Sequence, residues 1–121
     1  MGEEEHVMYI LVNSNLKMRA GKIASQCAHS ACRATRILEN QKDTDYKEWI
    51  KNGEKKVVLK ATEEQLLEMI SSYNDKGKQI WCTHTYDSGK TQIPENSLTT
   101  VAFKPIKMKD RPELISTLKL L

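Results

Sequence analysis

Long apolar runs are missing from this 121-residue chain, and so is any marked excess of one charge. No run approaches the ~18 apolar residues that a membrane-spanning helix needs. Nineteen Lys and Arg against 16 Asp and Glu leave a net charge of +3, which permits an anionic partner without demanding one. Cysteine is scarce. Cys27, Cys32 and Cys82 are odd in number and irregular in spacing, which argues against a disulfide framework and suits reduced, packed thiols. With five glycines and three prolines there is no low-complexity tract, linker or internal repeat. The opening "MGEEEHVMYILV" lacks the basic leader of a secretory signal, and Gly2 is not followed by the Ser or Thr of a myristoylation signal. The expected location is cytoplasmic, with no membrane contact.

What the chain does have is an ordinary globular balance, 39 % hydrophobic and 29 % charged. That length and balance predict one domain over residues 1–121, with residues 1–6 a disordered extension. Val7 to Asn13 reads as a strand buried on both faces. A small-residue helix follows over 21–39, and a short amphipathic one over 45–51, closed by Gly53. Lys55 to Ala61 is a second strand. Thr62 and Gln65 match a capping box opening a helix that Gly77 stops. Gln79 to Tyr86 and Leu98 to Phe103 are the third and fourth strands, and Pro112 opens a last helix through "RPELISTLKLL". Strands alternating with helices predict a layered α/β domain whose first three strands are parallel. The third and fourth strands are joined without a helix, so the fourth runs antiparallel.

The first helix carries two edges. Ile23, Ala24, Cys27, Ala31, Ala34 and Leu38 gather on a side able to approach the sheet closely. Lys22, Gln26, His29 and Arg33 fall within a stripe about 60° wide on the other. A solvated helix face is the plain account of such a stripe. However, Gln and His are weaker helix formers than the Lys and Glu of an ordinary solvent face, and the ladder starts where helix N-terminal amides can hold a phosphate or an oxyanion. Asp87 closes the third strand at that same edge, followed by Gly89, Lys90, Thr91 and Gln92. "DSG" alone is ordinary turn chemistry. Ligands of open α/β sheets bind outside the strand carboxyl ends, so Asp87 and Lys22 should face each other across a shallow groove.

Other chemistries are set aside. Cys27 and His29 project about 160° apart on a helix and cannot share one tetrahedral zinc. "AGKIAS" lacks the first glycine and the Ser/Thr of a phosphate-binding loop, and there is no G-x-S-x-G nucleophile elbow. His84 is given no role. Trp49 and Trp81 read as core residues, with base stacking the alternative for an exposed Trp81.

"NLKMRAGKIASQCAHSA" and "DSGKTQIPENSLTTVAF" resemble the two signature blocks of the class II peptidyl-tRNA hydrolases, the archaeal and eukaryotic type. "NGEKKVVLKA" and "LKLL" fit as well, so the resemblance runs from Met8 over nearly the whole chain. It implies a three-layer α/β/α fold, with a four-stranded mixed sheet of order 2-1-4-3, strand 4 antiparallel and helices on both faces. It implies hydrolysis of the ester joining peptide to tRNA, without metal or organic cofactor. The family's functional lysine, aspartate and threonine fall on Lys22, Asp87 and Thr91, and its glutamine and histidine positions on Gln26 and His29. Asn13 and Asn15 stand where the family has Arg and Asp, a neutral hydrogen-bonding pair for an ionic one, and Ser25 and Ser88 replace alanines. Asp87 is the expected base, with His29 second. Lys22 is expected to stabilise the oxyanion and Thr91 to bond the ester or the water. Lys17, Arg19, Arg33, Arg36 and Lys90 are the expected phosphate contacts on the acceptor stem, with Gln26, His29 and Gln92 also on the substrate. A homodimer is compatible with this reading. A non-catalytic basic RNA- or protein-binding module is its alternative.

Overall fold

The computed structural model describes residues 2–88, 93–94 and 96–121. β1 (His6–Asn13) is buried at every residue after His6, as befits a strand covered on both faces. β2 (Lys56–Ala61) pairs with it in parallel, Tyr9 opposite Val57 and Leu11 opposite Leu59. β4 (Leu98–Phe103) runs antiparallel along the other side of β1, and β3 (Cys82–Tyr86) runs antiparallel to β4. The order β2-β1-β4-β3 and the reversed fourth strand agree with the expected fold. A two-residue β5 (Ile106–Lys107) also pairs with the start of β1, too short to show an alternation in sequence.

α1 (Ala20–Leu38) and α2 (Thr44–Lys51) cover one face, where Met8, Ile10, Ala34, Leu38, Trp49, Trp81 and Ala102 pack together. α3 (Glu63–Tyr73) and the short α4 (Glu113–Thr117) cover the other, over Tyr9, Leu11, Leu66, Met69, Val101, Phe103 and Ile115. Both tryptophans are buried, and Trp81, at 0 % exposure, has no face left to stack on a base. The capping box at Thr62 forms as expected, and Gly53 takes the left-handed φ of 105° that ends α2. Among the described residues no helix is long and apolar enough to cross a membrane.

Several boundaries differ from the sequence expectation. α3 stops at Tyr73, before Gly77, and the Asp75 carboxylate accepts the Gly77 N–H at 2.8 Å to turn the chain. β3 starts at Cys82; just before it the Trp81 carbonyl accepts the Lys104 N–H at 3.0 Å, and the buried Lys104 ammonium holds the Gln79 carbonyl at 3.0 Å. The last helix ends at Thr117, and the chain beyond it lies along β2: Lys60 N–H donates to Lys119, and Leu121 N–H to Val58. Satisfying a sheet edge outweighs helix propensity there. Residues 1–6 are expected as a disordered extension; instead Gly2–Glu4 form a 3-10 turn, Glu4 pairs with Lys107 and Lys109 at 3.2 and 2.8 Å, and β1 begins at His6.

Candidate active site

α1 is seated by a polar seam that the sequence reading missed. Its buried line is Gln26, Ser30, Ala34 and Leu38, at a spacing of four. Ala24, expected on the packed side, is exposed, and Gln26, expected outward, is 4 % exposed. The cause lies in β4. The β3–β4 register slips between Thr85 and Tyr86, and a bulge there turns two consecutive side chains to one face. Thr99 and Thr100 thus both meet α1. The Thr99 hydroxyl donates to Gln26 Oε1 at 2.5 Å, and the Thr100 hydroxyl to the Gln26 carbonyl at 3.2 Å. Ser30 Oγ lies 2.8 Å from the Thr85 hydroxyl and 2.5 Å from that of Thr100. Among the described residues no buried side-chain N or O lacks a partner. The signal available in sequence was "LTT", two hydroxyls inside an otherwise apolar strand.

Above this seam lies an open cleft of about 390 Å³. Lys22, Ser25, Gln26, His29 and Arg33 line it from α1, and Thr85, Tyr86, Asp87 and Ser88 from the end of β3. The topology therefore brings together Lys22, Gln26, His29, Arg33 and Asp87, as expected. Ser25 and Ser88, read as tolerated replacements, are part of the wall. The Lys22 ammonium bonds directly to Asp87 Oδ1, their side chains only 8 % and 3 % exposed. Asp87 is anchored on both sides, its N–H donating to Ser97 at 2.8 Å and its carbonyl accepting from Asn96 at 2.9 Å. Asn96 adopts φ 63°, a conformation asparagine tolerates. Asp87 is the one carboxylate among the described wall residues.

Other expected contacts are spread around this centre. Lys17, at φ 50°, and Arg19, the N-cap of α1, are exposed at the helix entrance. The Arg19 side chain makes no capping bond, so no cap side chain competes for the first-turn N–H groups. His29 and Arg33 are exposed along the cleft; Arg36 is exposed but is no part of its wall. Lys90, Thr91 and Gln92 lie outside the described residues. Asn13 and Asn15 tie the entrance loop to α3. Asn13 Nδ2 donates to Glu63 and to the Leu98 carbonyl, its Oδ1 accepts the Asn15 N–H, and Asn15 Oδ1 accepts the Glu63 N–H. The pair is thus joined side chain to backbone, with α3 as the common anchor. On β3, His84 and Tyr86 meet edge to face at 5.3 Å; burial, then the Lys76 and Arg33 charges, holds the His84 imidazole below its usual range.

A family model described as peptidyl-tRNA hydrolase PTH2 matches residues 6–121. The chain is 35 % identical over 113 residues to a peptidyl-tRNA hydrolase of Methanococcus maripaludis, covering 93 % of this chain and 96 % of that protein. It is 36 % identical over 113 residues to the corresponding protein of Methanococcus vannielii, with the same coverage. A Bos taurus protein named peptidyl-tRNA hydrolase 2, mitochondrial, is 35 % identical over 107 residues, 87 % of this chain and 59 % of the bovine one.

Proposed function

The chain belongs to the peptidyl-tRNA hydrolase PTH2 family, the class II type, and from that membership we infer that it hydrolyses the ester between peptide and tRNA, recycling tRNA from aborted translation. The observation that carries the chemistry is the buried contact of Lys22 with Asp87 in the cleft. No comparison favours a non-catalytic module.

In this reading Asp87 accepts a proton from the attacking water as its oxygen bonds to the ester carbonyl carbon. The electron pair moves to the carbonyl oxygen, where Lys22 stabilises it. An ammonium has three N–H donors, so binding one carboxylate oxygen leaves it donors for an oxyanion. Collapse of the tetrahedral intermediate returns the pair, breaks the bond to the ribose oxygen and passes the proton to that leaving group. Desolvation inside the cleft strengthens each of these interactions. Gln26 supports a positioning role: its Oε1 is held by Thr99, and the residue is part of the cleft wall. To Thr91 this reading assigns a bond to the ester or the water, and to Lys90 and Gln92 contacts with the substrate. His29, two helical turns from Lys22, is the second choice of base.

The acceptor stem is held through its phosphates by Lys17 and Arg19, exposed before and at the start of α1, and by Arg33, exposed in the cleft wall. A reducing, cytoplasmic setting suits three free cysteines, of which burial pushes the Cys82 thiol up to about 11. The deciding measurement is single-turnover cleavage of peptidyl-tRNA by Asp87→Asn. A fall of about 10²–10³-fold is expected; a rate near that of the parent removes Asp87 from the chemistry.

A further inference from the structure

The two edges of the sheet are treated differently. The outer edge of β2 is closed by the chain's own end: Lys60 and Lys119, Val58 and Leu121 share backbone hydrogen bonds, and Leu59 bridges Leu120. Among the described residues no strand pairs with the outer edge of β3, which leads directly into Asp87. The backbone alternation of an antiparallel pair decides which groups that edge presents. Asp87 turns its N–H and carbonyl inward, to Ser97 and Asn96, and Thr85 likewise turns its carbonyl toward the Thr99 hydroxyl. His84 and Tyr86 therefore point theirs outward. Cys82 obeys the same alternation, but its outward carbonyl is taken by the Lys76 ammonium at 2.6 Å.

From this edge we propose that the peptide portion of the substrate adds to β3 as a further strand, held by main-chain hydrogen bonds to His84 and Tyr86. The proposal rests on the hydrolase reading above, which places the ester carbonyl beside Asp87. The peptide's carboxyl end is then at the Asp87 end of β3, so the added strand runs parallel to β3. Two outward residues offer two N–H donors and two carbonyl acceptors, and Lys76 stops the ladder at Cys82. The edge thus takes about three residues of peptide at ~3.3 Å each. Recognition of this kind reads backbone rather than side chains, which is the chemistry needed by a hydrolase whose substrates differ in every side chain. Tyr86, half exposed, and His84 meet edge to face beside this edge. Devices that block edges in other proteins are missing from β3: Cys82–Tyr86 contains no Pro and no Lys.

The test uses the unaltered chain and tRNA carrying an N-acetylated tetrapeptide, with each of its three internal amides N-methylated in turn. In a parallel pair only alternate amides of the added strand face the edge. Methylation at the alternate positions should lower kcat/KM about 3- to 10-fold, the worth of one hydrogen bond, and methylation between them less than twofold. In a length series, kcat/KM should rise up to about three residues and then level. Equal rates for all methylated substrates, or a uniform fall without alternation, overturn the edge proposal and leave ester hydrolysis standing. Failure to cleave even the unmethylated substrate refutes hydrolysis and the edge proposal with it.

Discussion

Replacing Lys22 by methionine tests whether the site is held together by its charge pair. The methionine stem fills most of the space of the lysine but takes the Lys22 ammonium away from Asp87, which is 3 % exposed. Asp87 cannot swing out to water easily, because its backbone is bonded on both sides to the segment before β4. Removing one partner of a buried pair costs about 3–5 kcal/mol, since the remaining charge loses the opposite charge that offset its desolvation. At about 3–5 °C per kcal/mol for a domain of this size, Lys22→Met should melt ~10–20 °C below the parent. Lys22→Met combined with Asp87→Asn removes both charges, and should recover at least about 2 kcal/mol of the loss. Activity should not recover. Both single variants and the double should fall by a similar ~10²–10³-fold, because groups acting as a unit do not lose rate additively. Urea unfolding at low temperature and single-turnover cleavage give the two readouts on the same samples. A coupling energy under about 0.5 kcal/mol, or a double variant more active than either single, would refute the reasoning.

Ser30→Ala removes two hydrogen bonds from the seam and leaves the Thr85 hydroxyl without its side-chain partner; urea titration should show a loss of about 1–2 kcal/mol after the better helix propensity of alanine is counted. The depressed pKa of His84 means that the folded chain binds fewer protons than the unfolded one. The stability this contributes is present above about pH 6.5 and is lost as pH falls through the folded value, so His84→Gln should flatten the slope of unfolding free energy between about pH 7 and 5. A second acid-side loss comes from Asp45, where burial raises the carboxyl but Lys104 and His6 together hold it below 3.8; unfolding free energy should fall further as pH drops below that value, and less so in Asp45→Asn. Binding of tRNA, followed by filter retention across salt concentrations, should weaken steeply, and Arg33→Gln should reduce the log–log slope by about one.

Much of the site could be read from residue order. Lys22, Gln26, His29 and Arg33 share a stripe by helical geometry alone, and a βαβ connection puts the start of α1 beside the carboxyl end of β3, hence beside Asp87. The depth of the stripe was not readable. Gln26 is buried and Ala24 exposed because the β4 bulge turns Thr99 and Thr100 both toward α1, and a bulge depends on pairing with a strand more than ten residues away. The end of β2's partnering was hidden for the same reason. "STLKLL" has a helical pattern, yet its last residues serve the β2 edge, whose need for partners appears only once the sheet exists.

The sequence by itself determined the α/β class, the strand directions, the capping of α3 and the pairing of a lysine-bearing helix start with an aspartate-bearing strand end, because these follow from local periodicity and the chirality of connections. Only the tertiary structure decided which hydroxyls seat α1, that Lys22 and Asp87 meet in near-complete burial, and which sheet edge is closed and which stays open. Those outcomes depend on hydrogen-bond partners and desolvation supplied by residues far apart in the chain, and no local pattern encodes a partner that distant.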